Sequence, residues 1–238
     1  KAPTMQIVTP SKIQAIAWEG ALIPPETTRA FKSLSAKSPV VTIGQCEVWR
    51  AADALENQVG QKWVAPLGGA EYWLLRFACS LRKPPGLAGI SEATQTLYLR
   101  PKNPGAGEGA AYCYSLFPDR LGAESTVELS AKLGPELKFA AGSGFKVGEL
   151  GAKIEFKKVF PVIQSYGAGE STPYWIFKPH ASHPLEGSQF VYAVVAAKPG
   201  AEGVRGSVAV TVTVETQFGP VKFGTPEEAQ AHTRFAIP

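Results

Sequence analysis

The strongest constraint on the fold is that apolar segments of strand length alternate with polar positions and then stop at glycine or proline. In residues 208–214, four valines occupy every second position and alanine or threonine stands between them, as in a strand buried on one face. The chain has 24 Gly and 20 Pro, which interrupt such segments too often for a helical bundle or a coiled coil. The sequence therefore predicts an all-β fold.

Segments rich in β-branched and aromatic residues predict the strands. They cover residues 12–18, 40–50, 71–81, 92–100, 111–117, 126–133, 145–147, 152–163, 174–178, 189–197 and 204–216. Short helices are predicted for 25–34 and 51–59. Near the C-terminus, Thr225-Pro226-Glu227-Glu228 places a threonine at the N-cap, a proline at the first helical position and a glutamate three residues after the cap. This capping box predicts a helix of about two turns through Ala231.

An internal similarity organises these strands. Residues 76–99 and residues 191–214 both consist of a strand, a Lys-Pro dipeptide, a glycine-containing turn, an aliphatic residue and a second strand. This predicts two similar β-hairpins half a chain apart. The sequence thus predicts two antiparallel β-sandwich-like halves, residues 1–121 and 122–238, with the short C-terminal helix in the second. One large β domain is the alternative.

Charge and hydropathy limit the classes of partner. The net charge is +4, only eight of the 24 basic residues are arginine, and no basic run is longer than Lys157-Lys158. This predicts that nucleic acid is not a partner, because phosphate recognition concentrates arginine in a patch. No apolar run reaches the roughly 18–20 residues of a spanning helix, so no transmembrane segment is predicted. The chain begins at Lys1 rather than methionine, which leaves a soluble cytoplasmic protein and a processed secreted one both open.

Catalytic patterns are sparse. Asp53 and Asp119 are the two aspartates, and the sequence has neither G-x-S-x-G nor a phosphate-binding loop. Cys46, Cys79 and Cys113 lie in apolar, strand-like contexts that predict buried thiols. We therefore predict that the protein is not an enzyme and uses no cofactor. The leading hypothesis is a non-catalytic interaction or assembly module, whose loops and edge strands contact a protein partner or a second copy.

The strongest candidate for a binding site is the segment 167–183, because it combines aromatic rings with polar groups. A carbohydrate or small-ligand binding module is therefore the alternative function. In the opposing interpretation, strand alternation directs Trp175 and Phe177 into the core and Tyr174 and Ile176 to the other face. The candidate ligand- or partner-binding residues are Glu170, Tyr174, Trp175, Lys178, His180 and His183.

The pair His180 and His183 could hold a metal ion with a third ligand from Glu170 or Glu186. Because prolines flank the pair, it does not form the helical H-E-x-x-H arrangement of zinc proteases, and nothing in the spacing requires a third ligand. The sequence therefore predicts no metal site. A metal-dependent hydrolase at this pair stays as the third hypothesis.

Overall fold

A computed structural model describes residues 5–7, 15–24, 38–57, 63–66, 68–83, 89–117, 120–121, 130–131, 137–138, 162–180, 184–216 and 219–238. These residues form strands and two short α-helices. The strands are β1 (Met5–Ile7), β2 (Ile16–Ala21), β3 (Val40–Gly44), β4 (Glu47–Arg50), β5 (Leu55–Asn57), β6 (Glu71–Arg82), β7 (Ile90–Pro101), β8 (Ala111–Phe117), β9 (Arg120–Leu121), β10 (Ser130–Ala131), β11 (Leu137–Lys138), β12 (Val162–Tyr166), β13 (Tyr174–Lys178), β14 (Gly187–Ala197), β15 (Val204–Thr216), β16 (Gly219–Gly224) and β17 (Phe235–Ile237). The helices are α1 (Ala51–Ala54) and α2 (Glu227–His232).

Two large antiparallel sheets contain most of the strands. The six-stranded sheet has the order β2-β3-β6-β14-β8, with β4 also paired to β6. The seven-stranded sheet has the order β16-β15-β7-β13-β12-β9, with β17 also paired to β15. A third, small sheet has the order β10-β11-β1-β5, in which β1 and β11 run parallel. The predicted all-β, sandwich-like class with a short C-terminal helix is confirmed.

The two large sheets pack face to face. One cluster of buried side chains takes Phe77 and Val195 from the six-stranded sheet and Trp175, Val212 and Phe223 from the seven-stranded sheet. Along β7, β13 and β15, buried residues alternate with more exposed ones, because each of those strands has one face toward the shared core.

A second apolar cluster covers the other face of the six-stranded sheet. Helix α1, strand β5 and Trp63 pack there against side chains of β6, β8 and β14. Strand β6 is therefore buried on both faces, which explains why residues 72–77 are all buried instead of alternating. The cluster consists of Ala51, Ala54, Leu55, Trp63, Tyr72, Leu74, Phe117, Tyr192, Val194 and Ala196.

The two similar segments do not form hairpins, and that prediction is wrong. Strand β6 pairs with β14 in one sheet, and β7 pairs with β15 in the other. Each Lys-Pro connection therefore carries the chain from one sheet to the other, as an arch. In the second arch, two backbone bonds join the connection to the residues that follow β7: Lys102 donates to the Gly203 carbonyl and Asn103 to the Ala201 carbonyl, at 3.1 and 3.0 Å.

Gly203 is required at the end of this second arch. Its φ of 100° lies in the left-handed region, and a Cβ there would collide with the carbonyl oxygen of Ile237. The pairing of the arches also means that both large sheets combine strands from residues 1–121 and 122–238. The predicted boundary at residue 121 therefore does not coincide with a boundary between sheets.

Helix α2 fills a gap along the edge of β15. Strand β16 pairs with residues 211–216 of β15 and β17 with residues 204–206. Between them, the Thr233 hydroxyl donates to the Val208 carbonyl at 2.7 Å and accepts from the Val208 N–H at 3.3 Å. The Thr225 hydroxyl accepts from the Val210 N–H at 3.4 Å. Two threonines thus replace strand-to-strand bonds at the two ends of the helix.

The prediction of a capping box at the start of this helix is wrong. Pro226 stands at the N-cap of α2, no side chain caps it, and the Thr225 hydroxyl faces β15 instead. Helix α1 ends at Ala54, short of the predicted residue 59, because Leu55–Asn57 pair with β1. Strands β16 and β17 were not predicted. The predicted helix 25–34, the strand 145–147 and most of the strands 126–133 and 152–163 lie outside the described residues.

Candidate functional site

The segment predicted as a binding loop joins the two large sheets. Its backbone accepts bonds from β7, since Leu97 and Leu99 donate to the carbonyls of Pro173 and Ser171 at 2.9 and 2.8 Å. It also pairs with β8, where Cys113 exchanges bonds with Gly169 and Glu170 at 2.7 and 2.9 Å. This loop therefore closes one edge of the sandwich.

Trp175 lies in the core between the sheets. Its side chain has 0% exposure, and its ring centroid is 6.5 Å from that of Phe77 on the opposite sheet. Phe177 is equally buried. Because the alternation of β13 directs both rings inward, Trp175 cannot serve as an exposed platform for a sugar or a protein.

The polar candidates do not share a cleft with Trp175. Glu170 is exposed at the tip of the loop, and Lys178 forms an ion pair with Glu92, with 3.6 Å between Nζ and Oε2. His180 is half-buried just beyond β13, and His183 lies outside the described residues. Within the described ranges, no three or more His, Cys, Asp or Glu side chains converge as metal ligands would.

The three cysteines, of which Cys79 and Cys113 are buried and Cys46 is half-buried, are poor nucleophiles. Burial raises the pKa of Cys79 to about 12 and that of Cys113 higher still. Burial and the neighbouring Glu47 carboxylate also raise the pKa of Cys46. At neutral pH all three therefore stay in the thiol form, which is not the reactive one. None of the three is in a disulfide.

Tyr174 faces away from the core, on the side of the seven-stranded sheet that points to solvent. We call this side the open face and define it by Tyr98, Arg100, Tyr166, Tyr174 and Arg205. The rings of Tyr174 and Tyr166 stack on neighbouring strands, with centroids 5.2 Å apart and planes inclined by 22°. Tyr98 and Tyr166 are 41% and 38% exposed, so the open face presents aromatic rings to solvent.

Arginines stand at one end of the open face. Strand register places Arg205 of β15 directly opposite Arg100 of β7, and the next outward pair is Ser207 with Tyr98. Arg234 precedes β17, which pairs with the same end of β15. Together these side chains line a cleft of about 680 Å³, which we call the arginine cleft. It is lined by Tyr98, Arg100, Arg205, Gly206, Ser207, Gln230, Arg234 and Phe235.

The fold fixes the position of Arg234 from both sides. Thr233, just before it, is held on Val208 by its hydroxyl. Phe235, just after it, packs its ring against Phe77 at 5.8 Å between centroids. The Phe235 ring fits because Gly206 has no side chain: a Cβ there would collide with that ring and with the Tyr98 carbonyl.

Three arginines line this cleft, and no acidic residue is among its lining residues. Cβ atoms of directly opposed residues in antiparallel strands lie about 4.5–5.5 Å apart, and like charges in that position repel. Among the described residues, no carboxylate forms an ion pair with Arg100, Arg205 or Arg234, although Arg76, Arg82, Lys83 and Lys178 all form one. The cleft can therefore hold an anion through charge-assisted hydrogen bonds.

This cleft was not predicted from the sequence. Its arginines come from three segments far apart in the chain, and only the pairing of β7, β15 and β17 brings them together. The sequence signal that was available is strand alternation: Arg100 and Arg205 are exposed positions next to buried residues, so both point away from the core.

Among the described residues, no helix has the length and hydropathy needed to cross a bilayer.

Comparisons with known proteins give no family. No family model matches this chain, and no curated protein matches it. A structure titled for manganese lipoxygenase of Gaeumannomyces graminis and zonadhesin of Komagataella pastoris matches at 11% identity and a TM-score of 0.26, over 84% of this chain and 62% of that one. This chain thus spans less than two thirds of that protein.

Two further structures are similar over most of both chains. A pore forming protein matches at 8% identity and a TM-score of 0.35, covering 84% of this chain and 88% of its own. The delta-toxin of Clostridium perfringens matches at 7% identity and a TM-score of 0.33, covering 98% and 96%. Scores this low carry no functional argument, so the site is interpreted from its own residues.

Proposed function

We propose that this protein is a non-catalytic interaction module that contacts an acidic protein partner through its open face. The observation that carries the proposal is the combination of uncovered tyrosines with arginines that have no carboxylate partner among the described residues. Tyrosine and arginine are enriched at the energetic centres of protein interfaces, because each buries a large area and also makes directed hydrogen bonds.

Charge favours an acidic partner. Arg100, Arg205 and Arg234 stand at one end of the open face, whereas Glu92 stands at the other end and is paired with Lys178. A partner with carboxylates or other anionic groups opposite the arginines would gain from electrostatic steering and from directed bonds. The arginines form one compact cleft instead of a stripe along the molecule, which favours a protein over a nucleic-acid backbone.

A crosslinking experiment tests the proposal. The photoreactive amino acid p-benzoylphenylalanine is placed at Tyr98 on the open face, or at Phe190 on the outer face of the six-stranded sheet. These two positions are matched, since both carry aromatic rings and are 41% and 42% exposed. Illumination in an extract of the source cells should give a specific adduct from position 98 and none from position 190, and mass spectrometry identifies the protein attached.

Purified components then decide the outcome. With the identified protein, Tyr98→Ser and Tyr174→Ser should each weaken binding by about tenfold or more, as at an interface centre, while Phe190→Ser should leave it unchanged. The proposal is wrong if both crosslinking positions give the same adducts, or if the adduct at 98 is a second copy of this chain or a nucleic acid. An adduct protein that is basic would also overturn it.

A further inference from the structure

The arginine cleft has a more specific chemistry than general attraction to acidic surfaces. A single carboxylate is satisfied by one bidentate arginine. Here three arginines line one cleft, and Ser207 and Tyr98, whose hydroxyls are also potential donors, line it as well. The ligand that best matches these donors is a compact group with several acceptor oxygens and close to two negative charges.

We propose that the arginine cleft binds a phosphoryl group, either as a phosphate monoester or as inorganic phosphate. A phosphate monoester carries about −1.5 to −2 charges at neutral pH and has three acceptor oxygens, which suits a cleft lined by three arginines. The inference rests on the proposed function only for the source of the group, which would be a phosphorylated side chain of the acidic partner.

The strand register supports a ligand in this place. Arg100 and Arg205 face each other directly across β7 and β15, an arrangement that costs stability when nothing lies between the charges. By comparison, exposed Arg82 of the six-stranded sheet is accompanied by Glu19, with Nη2 and Oε2 3.0 Å apart. In the free protein, Arg100 and Arg205 thus repel each other, and a bound anion would replace this repulsion with attraction to both.

Positioning of the third arginine supports the same conclusion. The Thr233 hydroxyl bonds to Val208 of β15, while Phe235 pairs with Gly206 of β15 and packs its ring against Phe77, so Arg234 between them starts from a fixed backbone. Gln230, half-buried on α2, reaches the same cleft. A preorganised set of donors loses less entropy on binding than surface side chains brought together by the ligand.

The test uses small anions and the whole chain. Inorganic phosphate and O-phosphoserine are titrated by calorimetry at constant ionic strength, with serine and sodium chloride as blanks. One site per chain is expected for both phosphates and none for serine. Arg100→Gln, Arg205→Gln and Arg234→Gln should each weaken binding by about tenfold or more, because each removes a charge-assisted bond. Arg82→Gln is the matched control and should leave affinity unchanged.

Thermal unfolding gives a second readout that a purely structural arginine would not produce. Without phosphate, Arg205→Gln should unfold at the same temperature as the parent chain or higher, because the repulsion with Arg100 is relieved. With saturating phosphate, the parent chain should be the more stable of the two, so the order reverses. Circular dichroism confirms that each variant is folded.

The outcomes separate the two proposals. Absence of phosphate binding, or equal loss of affinity in Arg82→Gln, would overturn the phosphoryl site, and an open-face crosslink could still stand. Phosphate binding without any specific adduct at position 98 would retain the site and overturn the partner. Binding of inorganic phosphate but not of O-phosphoserine would assign the cleft to the free ion and overturn the partner's side chain as the source.

Discussion

Arg76 and Arg205 both lie on the face of a large sheet that points away from the shared core, yet their surroundings are opposite. Arg76, on β6, is 2% exposed, forms an ion pair with Glu47, and lies over the rings of Trp49 and Phe190 at 5.5 and 5.9 Å. Arg205 is exposed and faces another arginine.

The difference shows how the two sheets use the same residue. Although burial alone would lower it, hydrogen bonds to Glu47 and Tyr192 raise the pKa of Arg76. The covering of the six-stranded sheet thus supplies partners for a charge that the fold encloses. The seven-stranded sheet has no such covering among the described residues, and its arginines keep their donors available. An enclosed, paired arginine stabilises the fold, whereas an open, unpaired one is suited to a ligand.

The two faces of β13 are the open face and the face toward the shared core, which we call the closed face. The sharpest test of the difference compares neighbouring aromatic residues on the two faces. Trp175→Ala should lower the free energy of unfolding by about 4 kcal/mol, because it removes a large buried ring. Tyr174→Ala should cost about 1 kcal/mol or less, since that ring faces solvent. Urea denaturation measures both. Similar losses in the two variants would show that the face of Tyr174 is covered.

The two arginine environments are compared by one substitution at two positions. Arg76→Leu should lower the free energy of unfolding by about 3 kcal/mol, because it leaves the Glu47 carboxylate without its partner in a mostly buried setting. Arg100→Leu should change it by no more than about 0.5 kcal/mol. The double variant Glu47→Met/Arg76→Leu should recover most of the loss. If it does not, the contacts of Arg76 with Trp49 and Phe190 carry the stability instead.

Gln95 is a polar exception on the closed face of the seven-stranded sheet. It is 1% exposed, and neither its amide oxygen nor its nitrogen has a hydrogen-bond partner in the described part of the chain. Gln95→Met has a similar shape and removes the unpaired amide, so we expect a gain of about 1–2 kcal/mol in unfolding free energy. Gln164→Met, on the exposed side of β12, is the control and should be neutral. Destabilisation at position 95 would mean that the amide is bonded.

The thiols of the closed core predict a dependence on alkaline pH. The ordinary pKa of a cysteine is 9.0, and burial raises that of Cys79 to about 12. Between these values the unfolded thiol ionises and the folded one does not, so stability is retained below pH 9 and falls as pH rises toward 12. The loss should be about 1.4 kcal/mol per pH unit. Cys79→Ala should reduce the slope by this amount between pH 9 and 10.5, and an unchanged slope would contradict the burial.

Much of the strand pattern could be predicted from local sequence. Strands β8, β13 and β15 have the predicted bounds, and the alternation that buries Trp175 and exposes Tyr174 is visible in the sequence. Strand pairing could not be predicted in this way, because a Lys-Pro turn does not determine whether the next strand stays in its sheet. The arginine cleft depends on that pairing. Local sequence instead predicted a binding site in the segment 167–183, because that segment combines aromatic and histidine residues.

The arches also determine the order in which this protein can be completed on the ribosome. The apolar residues of β6 emerge early, but their partners in β14 begin only at Gly187. At roughly 5–20 residues per second, translation of the intervening chain takes about 5 to 20 seconds. During that interval a central strand has no partner on one edge. A nascent chain stalled before Gly187 therefore contains β6 and β7, the strands of the first arch. It lacks β14 and β15, the strands of the second arch, which pair with β6 and β7.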